Sequence, residues 1–126
     1  MFQIVYEYAD AWPQQGVLHF QVPLTQMEIA VSPDSARRKA NGYLTRYVSM
    51  SLLAGKPMLI MNQRPIWRIP LELQLPELNQ IATLGMIEVD AHTREVIPLS
   101  AKQIRSIQDQ ANELIARFTP EAAAAI

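Results

Sequence analysis

The chain has 126 residues, long enough for one domain with a real core that needs no disulfide or metal. It is 49% apolar and 18% charged, so it is neither a disordered acidic or basic tail nor a membrane span, and it has no cysteine, which excludes disulfides, thiolate zinc sites and cysteine nucleophiles. Eleven Lys and Arg against 12 Asp and Glu leave a formal net charge of -1, too little for a global field that would draw in nucleic acid or an acidic membrane.

No basic segment followed by a long apolar run opens the sequence, and nowhere do about 18 apolar residues run together. A cytoplasmic protein with no membrane association is expected. Phe2, Ile4, Tyr6 and Tyr8 alternate with Gln3, Val5, Glu7 and Ala9, and Leu18, Phe20, Val22 and Leu24 repeat the period of two. With "WPQQG" at 12–16 between them, the two runs predict an N-terminal β-hairpin. "TQMEIAV" (25–31) reads equally as a strand or a link.

"SPDSARRKANGYLTRYVSMSLLAG" predicts the central helix. Ser32 can cap it, Pro33 suits a first position where no amide donor is needed, and Asp34 favours the positive end of the dipole. Ala36, Ala40, Tyr43, Leu44 and Tyr47 form an apolar stripe at steps of three and four, and Gly55 and Pro57 are expected to stop the helix. "PMLIMN" (57–62) and "PIWRIPLELQL" (65–75) then read as a strand pair. Trp67, Ile69, Leu71, Leu73 and Leu75 share one face of the second strand; Pro70 lacks the amide a central strand donates, so an edge, a bulge or one-sided pairing is expected there. "PELNQ" (76–80) is a loop, and "IATLGMIEVDA" (81–91) a strand with Ile87 and Val89 inward.

"VDAHTREVIP" (89–98) sets Asp90, His92, Arg94 and Glu95 between apolar runs. A facial metal triad needs ligands converging from rigid neighbours, whereas a tight reversal favours Asp for the bonds its side chain makes with nearby amides, so the stretch reads as a turn. After it, Ser100 and Gln103 spell a capping box, Leu99 can staple against Ile104, and Ile104, Ile107, Ala111, Leu114 and Phe118 give a C-terminal amphipathic helix ended by Thr119 and Pro120. The expectation is one α+β domain over 1–119 with a flexible tail at 120–126: an N-terminal β-hairpin, one central helix, a mainly antiparallel sheet of three or four strands and the closing helix.

Chemistry-bearing motifs are sparse. No serine sits in a nucleophile elbow, the glycines at 16, 42, 55 and 85 are scattered, and no catalytic, cofactor-binding or metal residue is assigned. Arg37, Arg38, Lys39 and Arg46 make a small basic patch beside Tyr43 and Tyr47, but near-neutral net charge argues against nucleic acid as partner. Should the chain act through a protein partner or as a homodimer, Trp67 and Arg68 on the 65–75 strand and Ile107, Leu114 and Phe118 on the last helix are the candidate contact residues.

Val89, Asp90, Ala91, Thr93, Glu95 and Val96, with Ser32, Ala36 and Ala40 at the helix entrance, give residues 32–99 a pattern that resembles a PepSY-type module, a small α+β unit; Arg94 stands where that family has Gly. The resemblance implies a non-catalytic module that modulates a peptidase or another associated domain. The pairing of "W-R-x-P" (67–70) with "V-D-A-x-T" (89–93) is also similar to uncharacterised small bacterial proteins. The reading is therefore a non-catalytic regulatory or protein-binding module. One alternative is an antitoxin-like neutraliser of a toxin encoded nearby; another is a small enzyme or ligand-binding protein built around His19, His92 and Glu95.

Overall fold

The computed structural model describes residues 4–6, 18–22, 25–61, 63–75 and 80–118, with side chains from residue 28 onward. In chain order the elements are β1 (Ile4–Tyr6), β2 (Leu18–Val22), β3 (Thr25–Ile29), α1 (Pro33–Tyr47), β4 (Leu52–Ala54), β5 (Met58–Met61), β6 (Pro65–Leu75), β7 (Gln80–Asp90), β8 (Val96–Ile97) and α2 (Ala101–Phe118). The class is α+β with a mainly antiparallel sheet, an N-terminal hairpin, a central helix and a C-terminal amphipathic helix, as expected.

The spine is β6 against β7, paired over the length of both strands, with a bulge in β7 that leaves Leu84 unmatched between Gly85 and Thr83. Strands run β1-β5-β6-β7-β8, and β4 joins β6 on the same edge as β5. Alternation along β6 is the reason one face is core: Trp67, Ile69, Leu71, Leu73 and Leu75 are buried, and both helices lie against them through Ala36, Ala40 and Leu44 of α1 and Ile107 and Ala111 of α2. Each fully buried Leu or Ile contributes about 1.5–3 kcal/mol of transfer free energy. On the opposite face Arg68 and Glu88 form a half-buried ion pair at 3.1 Å.

The caps act as their residue types dictate. Ser32 Oγ accepts the Ser35 amide at 3.1 Å with Pro33 opening α1, and Ser100 and Gln103 exchange reciprocal bonds of 2.8 and 3.1 Å before α2.

Several expectations are corrected. The hairpin is formed by β2 and β3, whose register leaves two residues between Val22 and Thr25, while β1 pairs with β5. The short connection favours the local pairing, and β5 offers the first strand an open edge. The "WPQQG" loop and the 120–126 tail lie outside the described residues. Residues 25–29 are a strand, and the two amides that follow, Ala30 and Val31, both donate to the Ala91 carbonyl. Helix α1 stops at Tyr47, before Gly55 and Pro57, and the last part of its expected span is β4, whose alternation buries Leu52 and Ala54 and exposes Leu53. With β1, β4 and β8 the main sheet has six strands among the described residues, not three or four.

Strand 65–75 is not an edge. It carries β7 on one side and β5, then β4, on the other. Pro70 falls in the gap between those two short strands, where β5 pairing ends at Arg68 and β4 pairing starts at Leu71. Its carbonyl accepts the Gly55 amide at 2.8 Å on that side, so the amide that proline lacks would have faced the gap rather than a ladder partner. Gly55 is held close: a Cβ there would lie 2.5 Å from the Glu72 carboxylate and 2.8 Å from the Pro70 ring.

Candidate functional site

The candidate site is the outer edge of β7 with the groove beside it. β8 covers β7 only at Glu88 and Val89, and apart from the ladder to β6 on the inner side no backbone hydrogen bond reaches residues 80–87 among the described residues. The outer edge of "QIATLGMI" therefore presents amides and carbonyls without backbone partners among the described residues. It holds no charge and no proline, two of the devices by which sheets discourage addition of another strand; only the bulge at Leu84 interrupts it. Ile81 is 58% exposed and Met86 43% exposed. Alongside runs a groove of about 340 Å³ between the strand and α2, lined by Leu84, Met86, Leu99 and Ile107, with Lys102 and Gln103 at its rim.

The stretch from Asp90 to Glu95 is a turn, as its residue types predict. Asp90 Oδ1 accepts the His92 and Thr93 amides at 2.8 and 2.9 Å, the Asp90 amide donates to the Glu95 carbonyl, and the Arg94 amide donates to the Asp90 carbonyl. Asp90 is buried with Arg64 3.8 Å away. Burial alone would push its carboxyl up, but the amides of Thr93 and His92 and the Arg64 guanidinium together outweigh it and hold the group below the ordinary aspartate range. Arg94 has φ 70°, so it takes the left-handed conformation that Gly takes cheaply.

The structure places the other sequence candidates as follows. Trp67 is fully buried, its indole N–H donating to the Val31 carbonyl at 2.7 Å, and Arg68 is held by Glu88. On α2, Ile107 is buried, and Leu114 and Phe118 are half-buried against the core. The basic patch divides: Arg37 Nε donates to the Ala54 carbonyl at 3.0 Å, Arg38 faces Asp34 at 3.6 Å, and Lys39 and Arg46 stand exposed. Tyr47, expected in the apolar stripe, is 54% exposed.

His19 and His92 are brought near a common residue that the sequence reading passed over. His19 pairs in register with Glu28, whose carboxylate lies 3.8 Å from His92 Nδ1. The two-residue connection at 23–24 is the signal that would have set 19 opposite 28. Glu95 makes no ion pair with His92, and no group of three or more metal-ligating side chains forms among the described residues. The edge at 80–87 was also legible as eight uncharged residues, but which side of β7 stays open depends on the partners of β7.

Among the described residues no helix is long and apolar enough to cross a membrane. No protein-family model, curated protein or solved structure matches the chain.

Proposed function

We propose that the chain is a non-catalytic protein-binding module that works by strand addition along β7, with a second copy of itself as partner. The observation that supports this reading is the unguarded edge at 80–87, with Ile81 and Met86 exposed beside an apolar groove. An antiparallel strand pair about a two-fold axis is self-complementary, so two such edges can supply each other's missing hydrogen bonds and cover both grooves. Ile81 and Met86 are exposed and pair in register with Gln74 and Pro70 rather than with the buried residues of β6, so changing them leaves the core residues in place.

Sedimentation velocity across a concentration series tests the reading. The native chain is expected to sediment as a dimer that dissociates on dilution, and Ile81→Lys with Met86→Lys to sediment as a monomer that melts cooperatively and independently of concentration, as the dilute native chain does. A native chain that stays monomeric throughout the series would sink self-association.

A further inference from the structure

A second cleft, of about 440 Å³, lies on the other side of the β7–β8 turn, between that turn and the flank of α1. Arg38, Lys39 and Arg46 line it from the helix, and Arg94 closes it from the turn, so four cations surround one concavity in a chain whose net charge is -1. Arg38 has an exposed partner in Asp34, a weak pairing in water. Lys39, Arg46 and Arg94 have no ion pair among the described residues. Tyr43 is fixed in the wall, its hydroxyl accepting the Leu99 amide at 3.1 Å, and Tyr47 stands 5.0 Å from it, ring to ring, and largely open to solvent.

Two features of this cleft act against the stability of the fold. Gly42 sits inside α1, where glycine is among the least favourable residues, yet a Cβ there would meet nothing within 4 Å. No packing constraint requires glycine at that position; what its absent side chain leaves is an open floor between Arg38 and Arg46, one helical turn to either side. Arg94 is the one non-glycine residue with positive φ among the described residues, and the conformation that costs it points its backbone into the turn bordering the same cleft. Two independent local costs, one of missing bulk and one of backbone strain, thus meet at the place where the cations gather.

We propose that this cleft binds a nucleotide-sized phosphorylated ligand, its phosphates held by Arg38, Lys39, Arg46 and Arg94 and its planar ring laid against Tyr47. Guanidinium forks match phosphate oxygens two at a time, the exposed tyrosine ring offers a stacking surface, and the volume falls within the range of about 300–1,000 Å³ typical of small-ligand sites. The size of the cleft favours a free ligand over a polymer, in keeping with the near-neutral net charge of the chain.

Calorimetric titration of the full chain with ADP, with inorganic pyrophosphate and with a single-stranded ten-nucleotide oligomer tests the site, alongside thermal melting without ligand. ADP is expected to bind saturably, one per chain, and more weakly as salt rises. Arg94→Gly and Gly42→Leu should each weaken ADP at least tenfold while melting at or above the native temperature, because each relieves a local cost as it spoils the cleft. Tyr47→Ala should weaken ADP and leave pyrophosphate unchanged. No saturable ADP binding at millimolar concentration, or binding indifferent to both Arg94→Gly and Gly42→Leu, would overturn the proposal. So would an oligomer that binds far more tightly than ADP and loses that binding in the same variants, since the cleft would then belong to a single strand.

Discussion

The turn from Asp90 to Glu95 and the segment from Val48 to Gly55 each carry the chain out of one regular element into the next, and they are held in opposite ways. The turn is held largely by its own side chains: Asp90 accepts two amides within three residues, and Thr93 Oγ1 accepts the Glu95 amide at 3.3 Å. The segment after α1 has one such local bond, Ser49 Oγ accepting the Ser51 amide at 3.1 Å, but its later part is held by side chains from elsewhere. Asn41 Oδ1 accepts the Ala54 amide, Arg37 donates to the Ala54 carbonyl and Gln108 of α2 donates to the Val48 carbonyl, across 13, 17 and 60 residues of sequence. Asn41 and Arg37 thereby satisfy the amide and carbonyl of Ala54 on the outer side of β4, which no strand covers among the described residues. A reversal whose donors and acceptors lie within a few residues can be read locally; one whose partners lie on other elements cannot.

The largest expected effect removes what the two regions share. Trp67 bonds the Val31 carbonyl, and the Val31 amide in turn bonds Ala91 beside the turn, so Trp67→Ala empties the core and loosens that tie. A loss of about 3–5 kcal/mol is expected in urea unfolding. A variant as stable as the native chain would place the indole outside the core.

Next in size, Asp90→Ala leaves two turn amides without their charged acceptor, at about 1.5–3 kcal/mol. Native-state hydrogen exchange should quicken at His92 and Thr93 and stay unchanged at Ala54. The same carboxylate sets a pH dependence. Its folded pKa is lowered, so its contribution is fully present above the unfolded aspartate value of about 3.9 and is lost as pH falls below that through the folded value. Asp90→Asn should flatten this acid limb of the stability curve; an unaltered limb would assign it to other carboxylates.

Asn41→Ala is the smallest of the three, at about 1 kcal/mol, because it removes one neutral acceptor at a part-buried position. Its exchange signature should be the mirror image, with Ala54 losing protection and the turn amides keeping theirs. Equal loss at both places would mean that the two regions open as one unit and are not separately held.

The positions that could be read in advance share one physical property. Helix entrances at Ser32 and Ser100, the turn at Asp90 and the inward face of β6 depend on interactions within a few residues or on a strict period of two or 3.6. The helix exit could not be read because continued helix and β4 compete on nearly equal local terms after Tyr47, and the open edge of β6 beside Leu71, Glu72 and Leu73 decides for the strand. The candidate edge is of the same kind: the uncharged run 80–87 is visible as residues, whereas its openness exists only because β8 stops at two paired residues.

By itself, then, the sequence determined the α+β class, the caps, the Asp90 turn and the buried stripe through Trp67, since each is written in local hydrogen-bonding chemistry or in periodic burial. Tertiary structure decided that β1 joins β5, that α1 ends at Tyr47 and that Pro70 lies in a gap between two strands. It also decided that Arg94 completes a basic cleft with residues of α1. Pairing partners and the meeting of distant side chains depend on which edges and faces remain open once the rest of the chain has folded, and that competition is settled only when all the strands are in place.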